Sequence, residues 1–322
     1  MPLGDMKKNQ LLVTALLWAA AFTCLSISLG AQAVRADMPQ YIKPEVPPSP
    51  AFNPPTAEKI ILGEKLFFDS RLSGANSISC ASCHRPEYTW TDRRRFSLGE
   101  TGKPRPRRTL PLQDVGWNSL FAWDGRIETL EGFVLGPISH PDEMNQSLEL
   151  LALELARTDN YVNLYKAAFG TDVISIDGVA QSLAAYIRTL RSGISPFDRW
   201  IGGESKAISE AAQKGFALFT GKAGCSQCHT GWRFTDQNFY DIGLNTNDKG
   251  RGKLKADDVF SQYAFRTPSL RNIAIRPPYM HDGSLKSLEE VIEFYHTGIH
   301  NRPSLSPHIQ PLNLNSHERL NV

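Results

Sequence analysis

The chain has 322 residues, a formal net charge of +2 and 41% hydrophobic residues. That length suffices for two domains of ordinary size, and so small a charge excludes the broadly basic surface on which nucleic-acid binding depends. Four of the five cysteines fall in two Cys-X-X-Cys-His runs, Cys80-Ala-Ser-Cys83-His84 and Cys225-Ser-Gln-Cys228-His229.

In chain order, Lys7 and Lys8 precede an apolar run from Leu11 to Leu29, and Val34-Arg35-Ala36 ends in a small residue before Asp37. Residues 1 to 36 are therefore expected to be a secretory signal peptide, with an uncleaved anchor as the alternative. The fifth cysteine, Cys24, follows Ala21-Phe22-Thr23 and lacks the Leu usual before a lipidated cysteine. No stretch after residue 36 approaches the roughly 20 apolar residues of a membrane span, so the mature chain is expected to be soluble and periplasmic, with a charge near zero.

Residues 37 to 56 carry seven prolines and predict an extended arm. Apolar spacing at Ile60, Ile61, Leu66, Phe67 and Phe68 predicts a helix over 56–68 leading into the first cysteine motif. Just beyond that motif lie Arg93-Arg94-Arg95 and a basic cluster from Lys103 to Arg108, which can meet haem propionates or an acidic protein surface, or form a solvated face. Amphipathic helices are predicted over 147–156, 161–168 and 176–190, and Pro196 to Gly203 reads as a hinge. A helix over 209–219 then delivers the chain to Cys225. The Gly-rich, polar region 234–267 predicts loops. Ser287 to Glu290 reads as a capping box ahead of a helix stopped by Gly298. Strand patterns are scarce. The fold class is mainly α, with two cytochrome c-like haem domains expected over 57–200 and 201–322.

The two cysteine motifs carry the chemistry. Each holds two thiols close enough to add to haem vinyl groups and sets an imidazole beside the second, where it can ligate iron. A structural zinc site would pool the four thiolates, whereas each pair here is followed directly by His and the pairs stand far apart in sequence. Cys80, Cys83 and His84 are thus expected to hold one c-type haem, and Cys225, Cys228 and His229 a second. The remaining axial ligands decide between electron transfer and oxygen chemistry. Beyond the leader only Met38, Met144 and Met280 are available as thioethers.

Five segments taken together make the chain resemble the bacterial di-haem cytochrome c peroxidase superfamily. They are Leu62-Gly-Glu-Lys-Leu-Phe-Phe-Asp69, the first cysteine motif, Phe121-Ala-Trp-Asp-Gly-Arg126, Phe265-Arg-Thr-Pro-Ser-Leu-Arg-Asn272 and Tyr279-Met-His-Asp-Gly283. They occur in the family order and span roughly residues 57 to 300. The resemblance implies two helical haem domains around a short electron path, commonly with a calcium ion between the haems. The superfamily includes peroxidases fed by a small cytochrome or copper protein, and MauG-like enzymes that use hydrogen peroxide to oxidise a partner protein. In the peroxidases the second haem's distal ligand is a Met about fourteen residues beyond the His of the Tyr-X-His-X-Gly segment. Here that count from His281 reaches Tyr295, the ligand type of the MauG-like branch. The resemblance thus implies Tyr295 and His229 as the ligands of the second iron, with His296 as the neighbouring alternative. A phenolate favours oxidised iron, where a thioether favours reduced iron.

The first haem points to the same branch. Peroxidases of the family often place a distal His in the loop after the first motif, but no His lies between His84 and His140. An open distal side is therefore expected, with His84 proximal. Family position implies Glu143 as the proton-transfer carboxylate, Pro137 as a restrictor of the pocket, and Trp123 as an electron relay between the haems; His140 competes with Glu143 for its role. Two departures stand out. Where the family loop supplies an Asn to calcium, Thr109 is taken as the equivalent, a weaker ligand, with the main-chain oxygens of Arg276 and Pro278 completing the expected set. Where the MauG that matures methylamine dehydrogenase carries a surface Trp two residues before the second motif, this chain has Ala223, so an exit route through Trp232 or Trp117 is the alternative. The expected function is a peroxide-dependent di-haem oxidase acting on a periplasmic partner protein, most naturally at a Trp side chain. A conventional cytochrome c peroxidase, and a di-haem electron carrier without enzymatic activity, are the alternatives.

Overall fold

A computed structural model describes residues 38–322; the expected leader, including Cys24 and the cleavage site, lies outside the described residues. Nine α-helices occur among them: α1 (Ala57–Phe67), α2 (Leu130–Ser139), α3 (Leu148–Ala156), α4 (Asp159–Phe169), α5 (Ile176–Arg188), α6 (Pro196–Ile201), α7 (Glu210–Thr220), α8 (Leu288–Thr297) and α9 (Ser316–Asn321). The only sheet among these residues is a two-residue antiparallel pairing of β1 (Phe239–Tyr240) with β2 (Phe265–Arg266). The protein is thus mostly helical. No helix among the described residues is long and apolar enough to cross a membrane.

The chain divides into two compact units. Of the described residues, 38–43 and 194–208 form the smaller, and 44–193 with 209–322 form the larger. In the smaller, the segment expected as a hinge folds into α6. The Ser195 hydroxyl accepts from the Asp198 N–H, and the Asp198 carboxylate accepts from the Ser195 N–H, closing a capping box. Tyr41 packs edge-on against Phe197 at 5.9 Å between ring centroids.

In the larger unit, hydroxyl side chains at the predicted helix starts do the capping. Thr56, Ser147, Ser175, Ser209 and Ser287 each accept a hydrogen bond from a backbone N–H of the first turn. The box expected at Ser287 differs in detail, because the Glu290 carboxylate accepts from the Lys286 N–H rather than from that of Ser287. Helix α2 is not announced by the sequence, nor is the short α9. The former is apolar nearly all round and contains Gly132, Gly136 and Pro137, so neither an amphipathic stripe nor propensity marks it. Tertiary packing forms it: Leu130, Val134 and Ile138 join the core made by Leu62, Leu66 and Phe67 of α1 and Val179, Leu183 and Ile187 of α5. Helices α1 and α5 approach so closely at Gly63 that a Cβ there would lie 1.9 Å from the Ser182 carbonyl oxygen.

A buried ion pair crosses this core. Arg188 donates from two nitrogens to Glu131 at 2.7 and 3.2 Å, and Asn53 of the proline-rich arm donates to the same carboxylate at 2.7 Å. Burial alone would raise the Glu131 pKa, but the hydrogen bonds from Arg188 and Asn53 hold it below the usual range. Its contribution to stability is therefore present above the ordinary Glu pKa and lost as pH falls through the lowered folded value. Arg188→Met leaves the carboxylate buried without its partner and is expected to destabilise by about 3–5 kcal/mol, read by urea denaturation at neutral pH. An unchanged midpoint would show that the hydrogen bond from Asn53 suffices.

The core built from these helices draws only on residues 62–190 for its buried members. From Ser209 onward the buried apolar side chains are few, among them Leu244, Ala264, Tyr279, Phe294, Leu312 and Leu314. A large cavity stands there instead.

Candidate functional site

The two cysteine motifs fold alike. Cys80–Ser82 and Cys225–Gln227 each form a single 3-10 turn, and the N–H of the following His returns to the carbonyl of the first Cys at 2.9 Å in both. The turn sets the two cysteines and the histidine on one short, hydrogen-bonded loop. Burial pushes the thiols up, Cys80 to about 12 and the other three to about 11, so all four are neutral at pH 7. Among the described residues no three His, Cys, Asp or Glu side chains gather as a metal-binding group, so the two cysteine pairs are separate sites.

Both imidazoles are held by one ring nitrogen. His84 Nδ1 lies 2.8 Å from the Trp90 carbonyl oxygen and His229 Nδ1 lies 2.9 Å from that of Phe234. A proton on Nδ1 donating to each carbonyl leaves Nε2 as the lone-pair nitrogen, the form an iron ligand needs. Burial lowers both pKa values, which keeps the rings neutral. Trp90 and Phe234 have φ of +61° and +55°. Bulky residues rarely adopt that left-handed conformation, which costs on the order of 1–3 kcal/mol and persists where the surroundings impose it. Here it aims a carbonyl at each histidine. These two residues were missed in the sequence; an aromatic six and five residues after each His was the available signal.

The second motif opens on a cavity of about 480 Å³, lined by Cys225, Cys228, His229 and Tyr295 together with apolar side chains such as Leu244, Phe265, Ile292 and Leu312. Tyr295 and His229 therefore share one cavity. The alternative, His296, is not on that lining, and both its ring nitrogens are taken: Nδ1 lies 2.8 Å from the Leu312 carbonyl oxygen and Arg319 lies 2.9 Å from Nε2. Burial raises the Tyr295 pKa, and the nearby Cys225 and Cys228 add to the effect. Met280 also lines the cavity, at a backbone φ of +68°.

Three arginines and one histidine on this lining have buried nitrogens without partners: Nε of Arg108, Arg266 and Arg276, and Nε2 of His281. Burial pushes the guanidinium pKa values down, to about 10 for Arg108 and Arg266 and about 9 for Arg276. None of the three makes an ion pair among the described residues; each donates instead to main-chain carbonyls, Arg108 to that of Arg276, Arg266 to that of Leu120 and Arg276 to that of Ser269, so their charges are hydrogen-bonded but not neutralised. The cavity thus calls for a ligand with a broad apolar body and an anionic edge. Haem, a flat apolar macrocycle with two propionates, fits that lining.

At the first motif, Glu143 lies in the turn after α2 and is half-buried, with one carboxylate oxygen 3.0 Å from Arg105. Its negative charge helps to raise the Cys83 thiol, after burial and Asp92, so it lies within electrostatic reach of that motif. The backbone carrying it is fixed by close packing: a Cβ on Gly99 would lie 2.1 Å from the Asp142 carbonyl oxygen. Pro137 lies inside α2, its carbonyl accepting from the Met144 N–H at 3.1 Å. His140 Nδ1 accepts from the Asp142 N–H at 3.0 Å, which puts its proton on Nε2 and leaves it no free lone pair. The basic cluster is largely spent within the chain. Lys103 pairs with Asp142 at 2.7 Å, and Arg107 bridges Asp124 and Asp248, each at 2.6 Å.

Trp123 is buried on the lining of the second cavity, and its indole N–H donates to the Arg108 carbonyl oxygen at 2.8 Å. Its ring meets that of His281 edge-on at 6.4 Å between centroids, and His281 stacks on Phe265 at 3.6 Å. Burial lowers the His281 pKa to about 4, so it is neutral here. Trp117 and Trp232 pack edge-to-face at 4.8 Å, with Arg233 and Arg271 over the Trp232 ring. Those cations disfavour a positive charge on Trp232.

The expected calcium set does not fit a divalent cation. The Thr109 hydroxyl is hydrogen-bonded to Ser97 and its carbonyl accepts from Thr91 at 2.7 Å. The Arg276 carbonyl accepts from the Arg108 guanidinium at 2.6 Å. Of the two main-chain oxygens expected on the ion, that of Arg276 is therefore already taken by a positively charged side chain, which also reaches the Pro277 carbonyl at 3.4 Å.

Two matching Cys-X-X-Cys-His turns with oriented imidazoles, one opening on a cavity built for an apolar anion, define a di-haem oxidoreductase. The sequence model of the di-haem cytochrome c peroxidase family matches residues 57–206. The methylamine utilization protein MauG of Methylorubrum extorquens is 47% identical over 87% of this chain and 80% of its own, and that of Methylophilus methylotrophus 44% identical over 87% and 84%. Among solved structures, a MauG-like protein associated with microbial copper homeostasis superposes with a TM-score of 0.80 and 32% identity over 88% of this chain and 92% of its own. The chain belongs to the di-haem cytochrome c peroxidase family and is a di-haem peroxidase/oxidase.

Proposed function

We propose that this chain is a periplasmic MauG-like enzyme that uses hydrogen peroxide to oxidise a partner protein at a tryptophan side chain, without that residue entering a haem pocket. The observation that carries the proposal is the pairing of Tyr295 with His229 on one cavity while His296 is not on its lining. The leader-like N-terminus supports the compartment, since covalent haem attachment through Cys80, Cys83, Cys225 and Cys228 belongs to an oxidising one.

Haem, when bound, supplies peroxide reduction and storage of the oxidising equivalents. The chain's own residues supply the rest. His84, locked by the Trp90 carbonyl, offers Nε2 on one side of the first site. With haem bound there, the Glu143 carboxylate would take a proton from one peroxide oxygen and return it to the leaving oxygen, with Arg105 orienting it. Peroxide takes up two electrons and two protons to give two waters, and the partner's side chain is the source of the electrons. Trp123, held by the Arg108 carbonyl on the lining of the second cavity, would serve as a relay that shortens the electron path. Tyr295 and His229 would hold the second haem, and a phenolate formed by Tyr295 giving up its proton on ligation would favour the oxidised iron.

The test is the EPR and optical spectrum of the diferric protein before and after one equivalent of hydrogen peroxide. One high-spin and one low-spin haem are expected, with loss of both ferric signals and a long-lived near-infrared band after peroxide. Tyr295→Phe should abolish that band and alter the low-spin signal. A second reading, a conventional cytochrome c peroxidase fed by a small cytochrome or copper protein, is favoured by Met280 on the same cavity. Its signature is a Met-His low-spin haem, unaffected by Tyr295→Phe, and no reaction with peroxide until the enzyme is half-reduced.

A further inference from the structure

Arg108 is 4% exposed, yet its side chain faces carbonyls rather than a carboxylate. Its Nη2 donates to the carbonyl oxygens of Arg276 at 2.6 Å, Asp92 at 3.1 Å and Pro277 at 3.4 Å. Converging main-chain carbonyls are the donor set of a hard cation. Carbonyl oxygens crowded together in a buried place repel one another unless a positive charge stands among them. A guanidinium keeps its charge at neutral pH, so the positive charge stands among these carbonyls.

The main chain of the same residue ties the His281 segment to Trp123. Its N–H donates to the His281 carbonyl at 2.8 Å, and its carbonyl accepts from the Trp123 indole at 2.8 Å. The Asp92 carbonyl lies two residues beyond Trp90, whose own carbonyl holds His84. One buried cation thus fastens the segment behind His84 to the segment bearing His281 and to Trp123.

We infer that Arg108 is a resident cation that replaces a divalent metal between the two haem sites, so that the enzyme assembles and works without calcium. Thr109, taken from the sequence as the equivalent of the family's calcium ligand, is the neighbour of the residue that matters. A guanidinium delivers one charge and directional N–H bonds to the carbonyls, and unlike a bound ion it cannot be removed by a chelator. Arg108 is a positioning residue, and the inference uses the haems only as reporters, whatever the substrate.

The holoenzyme is assayed for calcium by plasma mass spectrometry and then treated with EGTA while optical and EPR spectra are followed. Calcium far below one per chain is expected, with spectra and peroxide consumption unmoved by EGTA. One calcium per chain, or a spectral change on EGTA that calcium reverses, overturns the inference. Arg108→Asn supplies an amide carbonyl in place of the cation and is expected to take up one calcium and to make the low-spin EPR signal sensitive to EGTA. Arg108→Lys keeps the charge and should stay calcium-free with a near-native spectrum. An Arg108→Asn protein that folds with native spectra and binds no calcium also overturns it. Should that variant not fold, the metal content and EGTA response of the wild type and Arg108→Lys decide alone.

Discussion

The double variant Cys225→Ala/Cys228→Ala is expected to lose the second haem and, with it, the ordered structure of residues 209–322, while the helical core built by α1, α2 and α5 persists. The reason is where apolar burial lies. The main core ends at Leu190, and the second half is organised around a cavity of about 480 Å³. At roughly 24 cal/mol per Å³ an empty apolar cavity of that size would cost at most on the order of 10 kcal/mol, against a net stability of about 5–15 kcal/mol for a whole domain. Four buried nitrogens on its wall would also lose the partner their placement anticipates. Limited proteolysis is the measurement, with cleavage sites mapped by mass spectrometry. Rapid cuts confined to 209–322 are expected in the variant; the wild-type pattern and melting temperature in a protein carrying a single haem would contradict the idea that this ligand forms the second core.

Glu143→Gln is expected to slow the reaction with hydrogen peroxide by about 10²–10⁴, the range for removing a positioned proton-transfer group. Gln is nearly isosteric and keeps an acceptor oxygen toward Arg105, so the haem spectra should stay as in the wild type. Arg105→Met leaves the carboxylate but frees it from the ion pair at 3.0 Å. It should give a smaller loss, because proximity survives while orientation does not. Stopped-flow mixing of the diferric protein with peroxide reads both. If Glu143→Gln reacts at the wild-type rate, the carboxylate is only the partner that Arg105 requires, and proton transfer belongs to another group at that site.

Much of the site was legible because its chemistry is local. A Cys-X-X-Cys-His run carries its own turn, so Cys80 to His84 and Cys225 to His229 declare themselves without knowledge of the fold. Helix starts were legible for the same reason, since Thr56, Ser147, Ser209 and Ser287 cap within their own first turns. Helix α2 was not, because a segment that is apolar on every side and contains Pro137 takes its conformation from its neighbours. The basic run from Lys103 to Arg108 was misleading for a related reason. Its charges find Asp142, Glu143, Asp124 and Asp248, three of them on segments distant in sequence and none deducible from spacing.

By itself the sequence determined the candidate haem-attachment residues, the mainly helical class and the candidacy of Tyr295, each set by residues near one another in the chain or by family motifs. Tertiary structure alone decided that His296 is off the cavity lining with both ring nitrogens taken, because Leu312 and Arg319 come from segments downstream of α8. It alone decided that Trp90 and Phe234 turn their carbonyls onto the histidines, since a left-handed backbone at a bulky residue has no local cause. It also decided that Arg108, not Thr109, reaches the carbonyls of residues 276 and 277, which lie some 170 residues away. Sequence records which groups are available, but which of them meet in a buried, low-dielectric place is settled by packing, and only there does an unpaired charge or carbonyl demand a partner.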